Sequence, residues 1–175
     1  MVIKFIKYQI KYALPIWFCI LFTSILPDNR YSIRIRGFLV SIFLPNKPRN
    51  LTLGRDITFL GIDKLFIGND VYIAKGCWIN ALGTVIIDNE VMLAPYVIIA
   101  STKHTFLDGS IYKGGSEFKQ VRVGKGTWLA GHSTVVAGAA IGKGCILAAN
   151  SVAIKSYPDN SLISGVPASV VKELK

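Results

Sequence analysis

An aliphatic residue returns every six positions through most of this chain. The clearest run is Val123, Leu129, Val135, Ile141, Leu147 and Ala153. Earlier runs are Ile67, Ile73, Ile79 and Ile87, Leu93, Ile99, and Leu53 and Phe59 start the series. The next residue is usually small or turn-forming, as at Gly54, Ala74, Asp88, Gly124 and Ala148. Four positions after the aliphatic comes a residue small enough for a narrow interior: Val71, Cys77, Val91, Val97, Thr127, Ser133, Ala139, Cys145 and Ser151. A period of six is neither the 3.6 of a helix nor the 2 of a long strand. It describes short strands joined by tight turns, each repeat forming one side of a solenoid. Three repeats make one triangular coil. The step from Val123 to Ile141 is 18 residues, from Ile67 to Ile87 is 20, and from Ile87 to Val123 is 36. The last step is one coil plus an insertion, and the insertion contains "ASTKHTFLDG", Ala100 to Gly109. The pattern therefore predicts an all-β coil that pauses for one protruding loop, residues 101–120, and then resumes in step.

Residues 1–50 differ in kind. They hold eight of the twenty Lys and Arg and one of the ten acids, Asp28. In "IKFIKYQIKY", Lys4, Lys7 and Lys11 lie three and four apart on one helical face, beside a stripe of Ile3, Ile6 and Ile10. An uncharged run from Ala13 to Leu26 follows, in which Pro15 should kink the helix. Its fourteen residues fall short of the roughly 20 that span a bilayer. The segment Arg30–Pro45 repeats the theme, with arginines leading into an apolar run. Basic residues beside apolar faces suit a monotopic anchor on a membrane surface. The plainer reading is a helical hairpin packed on the rest of the protein or on a neighbouring subunit. A signal peptide would need a small-residue cleavage site, which does not follow. Nucleic-acid binding is not expected, because no stacking aromatics stand apart from the apolar helix. Half of the residues are hydrophobic, which excludes a disordered chain. The three cysteines are too few and scattered for a disulfide scaffold. Cys19 lies in the apolar run and Cys77 and Cys145 fall on core positions, so all three read as buried thiols.

The stretches "IGNDVYIAKGCWINA", "VMLAPYVIIASTKHTFLD" and "VRVGKGTWLAGHSTVVAGAAIGKGCILAANSVAIKSYPDNSLISGVPASVVKEL" resemble the hexapeptide-repeat acyltransferases, in particular the galactoside, maltose and exopolysaccharide O-acetyltransferase branch. The resemblance covers about Leu53 to Leu174. It implies an all-β, left-handed parallel β-helix with an N-terminal apolar helical segment and one protruding loop. Handedness comes from the resemblance alone, since crossover rules favour the right hand. Residues 1–50 then form a membrane-association segment and 51–175 the acetyltransferase domain with loop 101–120. The resemblance also implies acetyl-CoA as co-substrate with no metal, a homotrimer with sites between subunits, and a sugar or lipid-linked glycan as acceptor. The lead-in before the first coil resembles that of lipopolysaccharide and capsule O-acetyltransferases. It points to bacterial cytoplasm, peripheral or monotopic on the inner membrane.

Acetyl transfer from a thioester to a hydroxyl needs a base, donors for the developing oxyanion, and both substrates held in line. Histidine suits the base role, with an ordinary pKa near ~6.5. His104, in "TKHTFLD", stands where the family carries its catalytic histidine, although Thr105 replaces a common proline. Glu117 matches a residue at the end of the family's loop and is expected to orient His104 or bind the acceptor. Asp108 is a further acceptor-binding candidate, with turn-shaping as its plainer role beside Gly109. Asn80, in "CWINA", matches a position near the family's active site, and Trp128 should point outward to wall the site or pack between subunits. The Gly131 N–H matches an oxyanion donor, and His132 reads as structural. Ala149, Lys155, Pro167 and Lys172 match coenzyme A-binding positions, the last two in "SGVPASVVKE". Lys172 would meet a coenzyme A phosphate as a point charge. Ile154 and Ser169 depart from the family's common Thr and Lys or Arg.

Other functions fit less well. A serine nucleophile lacks its G-x-S-x-G. A zinc hydrolyase of this fold needs three histidines, and the chain has two. The alternatives kept open are a sugar-nucleotide N-acetyltransferase and a non-catalytic β-solenoid scaffold at the membrane.

Overall fold

The computed structural model describes residues 2–175. The six-residue pattern becomes a three-sided parallel β-helix. Its first face stacks Thr52–Leu53, Tyr72–Ile73, Met92–Leu93, Trp128–Leu129, Ile146–Leu147 and Ser161–Gly165. The second stacks Thr58–Leu60, Trp78–Asn80, Ile98–Ala100, Thr134–Val135 and Val152–Ala153. The third stacks Leu65–Ile67, Val85–Ile87, Val121–Val123, Ala140–Ile141 and Ser156–Tyr157. Val123 pairs in register with both Ile87 and Ile141, so the coil does resume in step beyond the insertion.

Side chains alternate along a strand, so in strands this short the repeated aliphatic points inward and the residue before it outward. Leu53, Ile73, Leu93, Leu129, Leu147 and Ile163 form one column, each 0% exposed. Phe59, Ile79, Ile99, Val135 and Ala153 form the second, and Ile67, Ile87, Val123, Ile141 and Tyr157 the third. The small residues at the narrow corners are buried as the spacing predicts. Cys77 and Cys145 are free and buried there, and burial pushes the Cys77 thiol up to about 11. Thr127 keeps its buried hydroxyl satisfied, donating to the Gly142 carbonyl at 2.8 Å and accepting from the Cys145 N–H at 3.1 Å.

The N-terminal segment is helical: α1 (Val2–Tyr8), a π turn (Gln9–Ala13), α2 (Leu14–Ser24) and α3 (Ser32–Ser41). Pro15 does not interrupt the first of these. It has no N–H to offer the Lys11 carbonyl, and the turn before it widens so that the Leu14 N–H bonds the Gln9 carbonyl. Val2–Ser24 is thus one 23-residue helix, about 35 Å at 1.5 Å per residue. By length and composition it is long enough to cross a membrane, which the fourteen-residue uncharged run alone did not indicate.

These helices close one end of the coil. Ile16, Val40 and Leu44 join the coil's own hydrophobic core, so residues 1–50 and 51–175 share one interior. Gly37 lies against the Leu51 carbonyl so closely that any side chain there would collide with it. Arg36 is 1% exposed. Its guanidinium donates to the Leu53 carbonyl at 2.8 Å, the Thr23 carbonyl at 2.9 Å and the Thr23 hydroxyl at 3.1 Å, and pairs with Asp28 at 3.0 Å. Asn46 stands in for a strand beneath Ile67, donating to its carbonyl at 2.6 Å and accepting from its N–H at 3.3 Å. The Tyr8 hydroxyl accepts from the Ile62 N–H at 3.2 Å. At the other end the chain turns at Pro167 and Ala168–Glu173 lies antiparallel on Ser161–Gly165.

Candidate active site

The insertion leaves the coil at the corner between the second and third faces and forms an antiparallel hairpin of Thr102–His104 with Ser116–Phe118. Its root is tied to the coil below. The Asn80 amide donates to the Thr102 hydroxyl at 3.0 Å and accepts from the Leu82 N–H at 3.0 Å. The buried Ser101 hydroxyl donates to the Asn80 carbonyl at 2.7 Å and accepts from the Gly83 N–H at 2.8 Å. Asn80 is itself buried, with both ends of its amide engaged. It holds the hairpin's base, and its amide is not presented to an acceptor as the sequence suggested.

His104 is exposed and lines an open cavity of 480 Å³ with Ile111, Tyr112, Gly114, Gly115 and Ser116. Its Nδ1 lies 3.5 Å from the Ser116 hydroxyl, at the outer edge of hydrogen-bond range. Thr105 continues the ladder one step further. Its N–H bonds the Gly115 carbonyl at 3.0 Å and its hydroxyl accepts from the Gly115 N–H at 2.7 Å. A proline at 105 would supply neither bond, so the departure from the common motif is what stiffens the backbone beside His104.

Glu117 does not orient His104. It pairs in register with Lys103, one residue away on each strand, and alternation sends both to the opposite side of the hairpin from His104 and Ser116. Its carboxylate lies 3.1 Å from the Lys103 ammonium and 3.3 Å from that of Lys119. Hydrogen bonds from Lys103 and then Lys119 hold the carboxyl below its usual range. Asp108 sits at the tip with φ 46°, followed by Gly109 with φ 73°. Leu107 and Ser110 exchange both backbone bonds around them, a two-residue turn that favours Asp-Gly. That turn accounts for Asp108 through its backbone.

The residues matched to coenzyme A positions lie elsewhere on the surface. Trp128 points out of the first face, between Met92 below and Ile146 above. Gly131 occupies the corner between the first and second faces, where its N–H has no protein partner among the described residues and its carbonyl accepts from Asn150 at 3.1 Å. Ala149 is exposed at the same corner one coil on, and Lys155 is exposed beyond the second face. Lys172 lies on the final antiparallel strand opposite Leu162. Neither Lys155 nor Lys172 is in an ion pair among the described residues, so both remain available to phosphate. His132 stacks on Tyr96, with ring centroids 5.1 Å apart, one coil above it. The two groups of residues therefore flank the second face: His104 and its hairpin at one edge, Gly131 and Ala149 at the other. No group of His, Cys, Asp and Glu among the described residues is arranged to hold a metal ion.

No family model matches the chain. It is 27% identical over 165 residues to WbbJ of Escherichia coli K12, a protein named for O-acetyl transfer in lipopolysaccharide biosynthesis, with 88% of this chain and 84% of that one covered. To the galactoside O-acetyltransferase of the same organism it is 25% identical over 114 residues, covering 61% of this chain and 56% of the relative. Beyond WbbJ, the chain spans about half or less of the curated relatives it matches. Among solved structures, the hexapeptide-repeat acetyltransferase VCA0836 of Vibrio cholerae in complex with acetyl-CoA superposes with a TM-score of 0.79 at 17% identity, covering 93% of this chain and 86% of that one. This chain is thus a left-handed, hexapeptide-repeat β-helix whose homologues are acetyltransferases.

Proposed function

We propose that the chain is an acetyl-CoA-dependent O-acetyltransferase that acylates a hydroxyl of a surface-polysaccharide sugar or its lipid-linked precursor. The observation that carries this is His104, exposed in a cavity and held on a hairpin whose root and shoulder are both hydrogen-bonded. Acetyl-CoA supplies the activated acetyl group. His104 takes the proton of the attacking hydroxyl and returns it to the departing thiolate. With Nδ1 on the Ser116 side, Nε2 is the nitrogen offered to the acceptor. The Gly131 N–H is the donor for the developing oxyanion. Because His104 and Gly131 sit at opposite edges of the second face, one copy does not bring them together. A trimer in which the second face packs against a neighbour would do so, and the outward Leu60 and Ile98 give that face an apolar surface.

The helices are the membrane-facing part. Phe5, Ile10, Trp17 and Phe22 are exposed along the Val2–Ser24 helix, and Ile25 at its C-terminal end. The helix is tied to the first coil directly at Tyr8 and, at Thr23, through Arg36 of α3, which itself bonds the Leu53 carbonyl; this favours lying in the plane of a bacterial inner membrane over crossing it. An acceptor tethered to that membrane would then be concentrated at the site.

The test is release of coenzyme A from acetyl-CoA against a panel of sugars and lipid-linked glycans, with wild type and His104→Ala side by side. Acceptor-dependent release, a base-labile acetylated product and collapse of turnover in the variant are expected. Turnover that survives the substitution sinks His104 as the base, and a base-stable product means N-acetylation. No turnover on any acceptor and no binding of acetyl-CoA would favour the scaffold, whereas acetyl-CoA bound without turnover would mean an acceptor outside the panel.

A further inference from the structure

At the helical end, α3 and residues 48–52 enclose a groove of 750 Å³. It lies outside the candidate active site. Two arginines line it, Arg34 from α3 and Arg49 from the strand lead-in, and neither is in an ion pair among the described residues. The one carboxylate on its wall, Asp70, already accepts a hydrogen bond from the Asn50 amide at 2.8 Å. The groove thus carries more positive than negative charge at its lining, and Phe38, Pro48 and Leu51 add apolar surface among the polar Ser41, Asn50 and Thr52. Phe38, one turn beyond Arg34, is 66% exposed, and with Ile35 and Ile42 it forms an uncovered stripe along the same helix.

Two guanidiniums beside an uncovered aromatic and aliphatic stripe match one chemistry: an anionic head joined to an apolar tail. Guanidinium forks suit phosphate oxygens, and the apolar stripe would serve no free anion. We propose that this groove seats the phosphate of an anionic phospholipid headgroup, with the acyl chains against Ile35, Phe38 and Ile42. The proposal rests on the membrane-surface reading of the helices and adds to it a fixed headgroup site. It also sets an orientation, because the groove opens on the end of the coil that the helices cover.

The experiment is sedimentation of the full chain with vesicles of pure phosphatidylcholine and of phosphatidylcholine mixed with phosphatidylglycerol, at one ionic strength. Wild type should favour the mixed vesicles. Arg34→Gln/Arg49→Gln should lose about 25-fold in affinity for them, about fivefold per arginine, and keep wild-type affinity for pure phosphatidylcholine. Both arginines are exposed, so an unchanged thermal melt is expected and checks the fold. Lys4→Gln/Lys7→Gln/Lys11→Gln is the comparator. If it abolishes the preference while the arginine variant binds mixed vesicles like wild type, the charge effect belongs to α1 and the groove assignment is overturned. Displacement from mixed vesicles by inorganic phosphate at matched ionic strength would assign the groove to a free anion and also overturn it. Wild type bound to neither vesicle would fail the membrane reading itself, a result distinct from failure of the groove alone.

Discussion

Replacing Arg36 by methionine removes the guanidinium and leaves its acceptors behind. The Thr23 and Leu53 carbonyls, bonded at 2.9 and 2.8 Å, lose their donors in a site where Arg36 is 1% exposed. Asp28 loses its partner at 3.0 Å, keeping a 3.8 Å approach to Arg55. Breaking a buried pair from one side typically costs about 3–5 kcal/mol. The Asp28 side chain is 27% exposed, so water recovers part of that and the lower end, about 3 kcal/mol, applies. In a solenoid each coil contacts its neighbours only, and stability is lost locally before it is lost globally. The expected result is that α2, α3 and the first coil open more often while later coils are unaffected. At about 1.4 kcal/mol per tenfold, amide exchange in residues 14–53 should accelerate by roughly 100-fold, with residues 121–163 unchanged. Mass-resolved hydrogen exchange on full-length wild type and variant reads this directly. Acceleration below about fivefold in α2 and α3 would refute the claim that Arg36 holds the helices to the coil. Equal acceleration everywhere would refute the local character of the loss.

Ser116→Ala should lower kcat by about fivefold, the worth of one hydrogen bond to the His104 ring, with the KM for acetyl-CoA unchanged. Glu117→Gln removes two exposed ion pairs on the other side of the hairpin and should stay within about threefold of wild type; the reverse ranking would mean the hairpin faces are misassigned. The carboxyl of Glu117 is held below its usual range by Lys103 and Lys119, so its pairs are present at neutral pH and are lost only as pH falls through that lowered value. Hairpin protection factors should therefore be flat from pH 8 to 5 and decline below, and a decline beginning above pH 5 would contradict this. Cys77, buried with its thiol pushed up to about 11, should resist iodoacetamide at pH 8 in the native protein and react after denaturation. Native labelling at the rate of a free thiol would show that the corner it occupies is open.

The coil was legible because one rule, an inward aliphatic every six residues, repeats without help from distant parts of the chain. Thr127, Ser133 and Ser151 were placed inside by position alone despite their hydroxyls, and all three are buried. The hairpin was less legible, because its register depends on a second turn between Ser110 and Gly115. Projected back from the Asp108–Gly109 turn, the ladder would set Lys113 opposite His104. The turn at Ile111–Gly114 shifts the ladder by three residues and sets Ser116 there instead. That shift hid Ser116, and it also reversed the side on which Glu117 lies. Thr105 was read as a flaw in a motif, since its two bonds to Gly115 exist only once that register is known. Arg36 and Asn46 gave no local signal at all. Their partners, Leu53 and Ile67, lie 17 and 21 residues away and are backbone groups, which carry no sequence mark.

Asn46 and Arg36 also bear on how long the stack can be. A parallel ladder has no natural end: every coil presents the next with a row of donors and acceptors about 4.8 Å above the last. Left bare, the terminal row is a seed for head-to-tail filament growth. The carboxamide of Asn46 fills the place of a strand under Ile67, and the guanidinium of Arg36 occupies the Leu53 carbonyl. At the far end, the reversal of direction at Pro167 lays an antiparallel strand where another parallel one would add. The helices are in this sense a polymerisation stop. A chain trimmed of them would present an exposed growing end, and its solubility would be governed by that end before its catalysis could be compared.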